Sequence, residues 1–214
     1  MRFVSLLILA LVLTGCITPR DERAQQYNDD GVHLFNHGAY DLAREDFQAA
    51  LVMKPDDAGI MYNLGECYHR EGAFSLAEKY YTQCLGRDPG HAPCRYALAQ
   101  LLVQTGRTAD AQKVIADWLN REPAKADPYA LDGWYYHQAG DVPRAQARLQ
   151  QALERDPHNQ RALIEMGLLY EAMQRPERAA AIYERVIDDD PQQPEVKKRL
   201  EGLLTKGAGK PAPE

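Results

Sequence analysis

Five prolines, Pro55, Pro89, Pro123, Pro157 and Pro191, follow one another at intervals of 34 residues. A marker kept at one period over most of a chain constrains the fold to similar supersecondary units repeated in a row. The residues between the prolines are rich in Ala, Leu, Gln and Arg, which favour helices. Proline inside a helix costs about 3 kcal/mol, so the periodic prolines are expected to end helices and not to interrupt them. Thirty-four residues accommodate two helices of three to four turns and two short connections.

Aligning the chain on these prolines exposes further columns. Glycine stands at Gly31, Gly65, Gly133 and Gly167, with Ala99 in the remaining slot, and alanine at Ala43, Ala77, Ala111, Ala145 and Ala179. A second glycine column holds Gly38, Gly72, Gly106 and Gly140, with Gln174 in place of the fifth. Two large columns run Phe47, Tyr81, Ile115, Leu149, Tyr183 and Leu34, Tyr68, Leu102, Tyr136, Tyr170. This pattern resembles the tetratricopeptide repeat (TPR) family over residues 24–193, five repeats without insertion. The resemblance implies an all-α fold, a right-handed α-solenoid with repeats at 24–57, 58–91, 92–125, 126–159 and 160–193. An apolar stripe of Val196, Leu200 and Leu203 marks 194–205 as a capping helix, because the last repeat needs its exposed face covered.

The columns also carry local expectations. The first glycine column is expected to let the second helix approach at its alanine column, and the second to supply a left-handed residue after the first helix. Asp41 and Ser75 are candidate caps for second helices, and Pro143 and Pro176 fit a first helical turn. Trp118 fills a column that is otherwise small, so the third repeat must open locally or stack the indole on Pro128. Asp132 stands where the family places a buried Leu, and a slight helix rotation is expected to bring it to solvent.

Phe3 to Leu13 is almost continuously apolar and follows Arg2. Eleven residues fall short of the roughly 20 needed to span a bilayer and fit the hydrophobic core of a secretory signal. Leu13-Thr14-Gly15-Cys16 resembles a bacterial lipobox, implying a signal peptide at 1–15 and lipidation, with palmitate among the acyl groups, at Cys16. Acyl chains would then tether the chain to a membrane without spanning it. Ile17, where Asp would favour inner-membrane retention, points to the outer membrane, facing the periplasm. Residues 16–23 read as a tether and 206–214 as a disordered tail.

Several chemistries find no support. The formal charge of −6 opposes nucleic-acid binding, whose affinity comes from Lys and Arg on phosphates. Beyond the signal the chain has one serine, Ser75, and it has no phosphate-cradling glycine loop or HExxH motif. His33 and His37 share a helix face with Asp30 one turn before, as zinc ligands would, but they read better as ordinary surface histidines. His69 and His137 occupy equivalent positions without a partner base or nucleophile. The expectation is no enzyme, no metal and no cofactor. Cys67, Cys84 and Cys94 stand where the family prefers Ala, which leaves two readings open: small packing groups, or, in an oxidising compartment, a Cys84–Cys94 bridge beyond the reach of Cys67.

In the family, first helices line a concave groove that holds a peptide or helix. By resemblance the groove residues are Asn28, Phe35, Tyr62, Asn63, Glu66, His69, Arg70, Tyr96, Gln100, Trp134, His137, Gln138, Arg161, Glu165 and Leu168. The positions matching the carboxylate clamp of chaperone-binding members are Asn28, Val32, Asn63, Pro93 and Ala97, and Asn63 alone fits. The sequence therefore reads as a non-catalytic, lipid-anchored adaptor that binds a segment of another envelope protein, with no nucleic-acid partner. Lipoproteins of similar architecture act in pilus and secretin assembly as pilotins, and others recruit peptidoglycan enzymes.

Overall fold

The computed structural model describes residues 19–208, all of whose regular structure is helical. The helices are α1 (Pro19–Asn36), α2 (Tyr40–Met53), α3 (Ala58–Arg70), α4 (Phe74–Arg87), α5 (Ala92–Gln104), α6 (Thr108–Arg121), α7 (Asp127–Gln138), α8 (Val142–Arg155), α9 (Gln160–Ala172), α10 (Pro176–Asp189) and α11 (Pro194–Ala208). They gather into two compact units, one ending at Cys94 and the other beginning at Arg95, so the division falls in the first turn of α5. In the first unit, α1 packs on α2, α2 on α3 and α3 on α4, and α1 also meets α3. In the second, α6 packs on α7, α7 on α8 and α9, α8 on α9, and α10 on α9 and α11. Odd-numbered helices up to α9 are thus the first helices of their repeats. First helices touch directly in both units, α1 with α3 and α7 with α9.

Each periodic proline occupies the same place in this scheme. Lys54, Asp88, Glu122, Asp156 and Asp190 are the C-caps of α2, α4, α6, α8 and α10, and the proline is the next residue. There its missing N–H and fixed φ stop the helix without breaking one. The backbone N–H groups of Gly90, His158 and Gln192 then donate to the Oδ1 atoms of Asp88, Asp156 and Asp190, closing the turn.

First helices end differently. Ala39 N–H donates to Leu34 O at 3.0 Å, and the bond recurs from Ala73, Arg107, Asp141 and Arg175 to Tyr68, Leu102, Tyr136 and Tyr170. This six-to-one closure needs a left-handed residue. Gly38, Gly72, Gly106 and Gly140 supply it at φ of 75 to 79°, whereas Gln174 accepts φ 56° despite its Cβ. The closure leads directly into the second helix. Asp41 and Ser75 consequently do not cap: the N-caps of α2 and α4 are Ala39 and Ala73, neither with a side-chain bond. Among second helices, Asp141 caps α8 by accepting from Arg144 N–H, while Asp57 and Asn159 cap the first helices α3 and α9. Pro143 and Pro176 do lie in the first turns of α8 and α10.

The atoms nearest the small residue of the first helix belong to the large column. A Cβ on Gly31 would stand 2.7 Å from Phe47 Cε1, and one on Gly65 or Gly167 would collide with the ring of Tyr81 or Tyr183. The rings of Phe47, Tyr81 and Tyr183 and the isobutyl group of Leu149 lie over the bare glycine backbone, and all four side chains are essentially fully buried. Burial of one such side chain contributes about 1.5–3 kcal/mol. The alanine column is equally buried.

Three further expectations change. Asp132 does not reach solvent; it is 6% exposed, and Arg148 Nε donates to its Oδ2 at 2.7 Å. A partner from α8 removes the need for the helix to rotate. Burial still raises the Asp132 carboxyl above the ordinary range, with Arg148 opposing. The segment from Pro19 to Arg23 is helix and not tether: Pro19 opens α1, Asp21 and Glu22 favour its N-terminal end, and Arg20 donates to Val52 O at 3.0 Å. The capping helix α11 continues to Ala208, shortening the expected tail, and packs Val196, Leu200 and Leu203 against Leu163, Ala179, Tyr183 and Val186. Trp118 is buried, with its indole N–H donating to Glu122 Oε2 at 3.0 Å and its ring edge-to-face with Tyr96. The expected signal peptide at 1–15, Cys16 and residues 209–214 lie outside the described residues. Among the described residues no helix is long and apolar enough to cross a membrane.

Candidate functional site

The first unit presents a groove face built from α1 and α3. Asn63 Nδ2 donates to Asn28 Oδ1 at 2.9 Å, tying the two first helices together through amides. Beside this pair, Val32, Phe35, Asn36, Phe47, Tyr62, Asn63 and Glu66 line a cavity of about 150 Å³. Val32 is substantially exposed at its edge. Phe35 meets Tyr40 edge-on, with ring centroids 5.1 Å apart, and the Arg70 guanidinium stands 5.9 Å from the centre of the Phe35 ring. Glu66 accepts from Tyr81 O–H at 2.6 Å, and His69 Nδ1 lies 3.4 Å from the same oxygen. Desolvation, reinforced by Glu66, pushes the Tyr81 phenol far above its usual range, so it serves as a donor and not as a base.

In the second unit the corresponding face comes from α5, α7 and α9. His137 Nδ1 and Glu165 Oε2 are 3.4 Å apart, both largely withdrawn from water. Burial raises the Glu165 carboxyl, while His137 and Arg161 pull it down. The Arg161 guanidinium lies 4.1 Å over the Tyr96 ring, and Tyr96 O–H donates to Asp127 O at 3.0 Å. Asn159 Nδ2 donates to Asp127 Oδ1 at 3.0 Å, fixing the start of α9 against that of α7. Gln100, Gln138 and Arg161 are exposed, and Leu168 is half-buried. Tyr96 and Trp134 are buried, so they form part of the floor and cannot project as anchors.

Sequence reasoning missed the hydroxyls of Tyr81 and Tyr183. Both belong to the large core column, yet each reaches a carboxylate near the end of the preceding first helix, Glu66 and Glu171, at 2.6 and 2.5 Å. The available signal was that this column holds Tyr where Phe47 or Leu149 would fill the same space. The His33 and His37 rings meet at a tilt of 34° with centroids 4.3 Å apart, and His37 Nδ1 contacts the His33 carbonyl oxygen at 2.7 Å. That nitrogen therefore carries a proton, and Asp30 is not brought in as a third ligand: among the described residues the potential metal-binding triad lies elsewhere. Cys84 and Cys94 form a disulfide, while Cys67 is buried and free, its thiol pushed up to about 12 chiefly by desolvation.

Family models described as tetratricopeptide repeat match residues 68–132 and 136–203, and another of the same description matches 29–92. The chain belongs to the tetratricopeptide repeat family. Solved TPR structures share the fold. A thermophilic TPR protein of Thermus thermophilus is 24% identical, with a TM-score of 0.69 covering 85% of this chain and 99% of that one. PilF of Pseudomonas aeruginosa is 18% identical, with a TM-score of 0.60 covering 89% and 87%. MamA of Desulfovibrio magneticus is 19% identical, with a TM-score of 0.50 covering 80% and 97%. No curated protein matches the chain. TPR proteins are generally protein-interaction scaffolds, and the α-solenoid is their fold class. Within that family the carboxylate clamp has no counterpart here, since Asn63 is already engaged with Asn28 and Val32, Pro93 and Ala97 offer no side-chain donor.

Proposed function

We propose that this TPR protein is a lipid-anchored adaptor of the bacterial envelope whose first-helix faces hold a segment of a partner protein. The observation that carries the reading is the groove face of the first unit. A cavity between Val32, Phe35 and Tyr62 adjoins the Asn28–Asn63 amide pair and the Glu66 carboxylate. An apolar side chain of the partner fits the cavity, and the amides can hydrogen-bond its backbone. The second unit by itself presents Arg161, His137 and Glu165, charged groups suited to selecting a partner by charge. The lipobox-like Leu13 to Cys16 supports anchoring, and Ile17 supports the outer membrane. The process proposed is assembly of a pilus or secretin, on the basis of the signal, short repeat array and lipobox seen together in such lipoproteins.

A pull-down from detergent-solubilised envelope tests this, comparing wild type with a variant carrying Val32→Glu and Arg161→Glu. Both positions are exposed, and circular dichroism of the variant checks that the fold is kept despite loss of the Arg161–Tyr96 contact. The proposal expects a partner recovered by wild type and lost by the variant. Identical recovery by the two proteins would refute the groove reading, and a mature chain that takes up no labelled palmitate at Cys16 would refute the anchor.

A further inference from the structure

One point in the array departs from the repeat pattern in three columns at once. The column of Cys84 otherwise holds Ala50, Trp118, Ala152 and Val186, and that of Cys94 holds Ile60, Pro128, Ala162 and Val196. The column of His91 otherwise holds Asp57, Lys125, Asn159 and Gln193. Asp57 and Asn159 are helix caps, accepting from the N–H three residues on. His91 does the same with Nδ1, which accepts from Cys94 N–H at 3.2 Å. An accepting Nδ1 carries no proton, and its lone pair, held by Cys94 N–H at the start of α5, becomes available to a cation beside the two sulfurs once that one hydrogen bond is given up. Histidine is not among the residues favoured for capping. What it adds over Asp or Asn at this place is an imidazole nitrogen, a good ligand for the same soft cations that thiolates bind.

The three ligand atoms lie within 4.8 Å of one another, all inside the first unit. The cysteines are fully buried, whereas His91 is half-buried and lines a cavity of about 270 Å³ with Tyr62, Asn63 and Asp57. That cavity gives a path to the imidazole and room for a water. As it stands, the Cys84–Cys94 disulfide withholds both sulfurs from any cation.

We propose that Cys84, His91 and Cys94 form a redox-gated site for a thiophilic d10 cation, of which Zn²⁺ is the probe. A dithiol reductant exchanges with the bridge: its thiolate attacks one sulfur, the Cys84–Cys94 bond breaks, and the reductant leaves as its own disulfide, with two thiols left on the protein. The cation then displaces both thiol protons, takes the His91 Nδ1 lone pair from Cys94 N–H, and is held by two thiolates and the imidazole, with water from the cavity as fourth ligand. Zn–S bonds of about 2.3 Å in tetrahedral geometry place the sulfurs roughly 3.8 Å apart. Modest separation at the end of α4 and the start of α5 therefore suffices. Either form links these two segments; only the reduced one binds metal.

The test uses the full-length chain with Cys16→Ser and Cys67→Ala, so that the cluster holds its remaining thiols. Protein reduced by a phosphine, then freed of it without air, is titrated with Zn²⁺ against a chromophoric chelator, and Co²⁺ is added separately to look for thiolate-to-metal charge transfer. The expected result is one ion per reduced chain, none per oxidised chain, and thiolate bands with Co²⁺. His91→Asn keeps the capping acceptor, as Asn159 does, so its fold is intact by circular dichroism. It should bind more weakly than the parent by at least the roughly 10–100-fold seen on losing even an outer-shell partner. No stoichiometric binding by the reduced chain, or equal affinity in His91→Asn, would overturn the proposal.

Discussion

Replacing Arg148 with Met removes the guanidinium paired with Asp132 while keeping most of the Arg stem's packing. Surface ion pairs contribute about 0–1 kcal/mol, and breaking a buried pair costs roughly 3–5 kcal/mol. The Arg148 side chain is 36% exposed and that of Asp132 9%, so the pair lies between these limits and the loss should be about 2–3 kcal/mol at pH 7. In a domain of this size that lowers the melting temperature by about 5–10 °C. The pH dependence follows from the direction of the Asp132 shift. Its folded carboxyl titrates above the unfolded value of about 3.9, because burial outweighs the Arg148 charge. The native state then holds the proton longer, and stability falls as pH rises from the unfolded value through the folded one. Removing Arg148 moves the folded value higher still, so the window extends upward, and the deficit of the variant should shrink as pH drops towards 4. Urea unfolding followed by circular dichroism at pH 7 and at pH 4.5 measures both. A loss under about 0.5 kcal/mol that does not change with pH would refute the buried pair. Asp132→Leu combined with Arg148→Met should restore or exceed wild-type stability.

Other positions give independent checks. Gly65→Ala would drive a methyl into the Tyr81 ring and should cost about 1–3 kcal/mol by thermal or urea unfolding; no loss would mean the helices separate freely. Gln174→Gly relieves a left-handed residue at φ 56° and should gain about 0.5–1 kcal/mol in the same assay. In metal-free buffer, reducing the Cys84–Cys94 bridge, whose cysteines are 10 residues apart, should cost about 2–3 kcal/mol. Stability unchanged by a phosphine that demonstrably frees both thiols would contradict this.

The repeat was legible in the sequence because period and proline chemistry coincide: each periodic proline can occupy only the place after a helix C-cap, and the left-handed glycine can occupy only the turn within the repeat. Relations between columns were less legible. The atoms nearest the first glycine column are those of the large residue sixteen positions on, because the ring of Phe47 or Tyr81 extends back over the bare backbone. Asp41 and Ser75 were credible caps until the closing turn ran straight into α2 and α4 and left no place for a side-chain cap. Asp132 was misplaced because Arg148, its partner, reads as a surface residue of α8 when considered alone. Among the candidate groove residues, burial depth was not readable from residue type: Tyr96 and Trp134 are buried, while Gln100, Gln138 and Arg161 in the same unit are exposed.

Site-specific photo-crosslinking in the native envelope tests the groove claim most directly. A photoreactive residue placed at Val32, Gln100 or Gln138 on first helices is compared with one at Thr82 or Lys113 on second helices, all five being exposed. The account predicts a discrete adduct at Val32 in the first unit and at Gln100 and Gln138 in the second, absent from Thr82 and Lys113. Adducts confined to the second-helix positions, or none at Val32, Gln100 and Gln138, would contradict it.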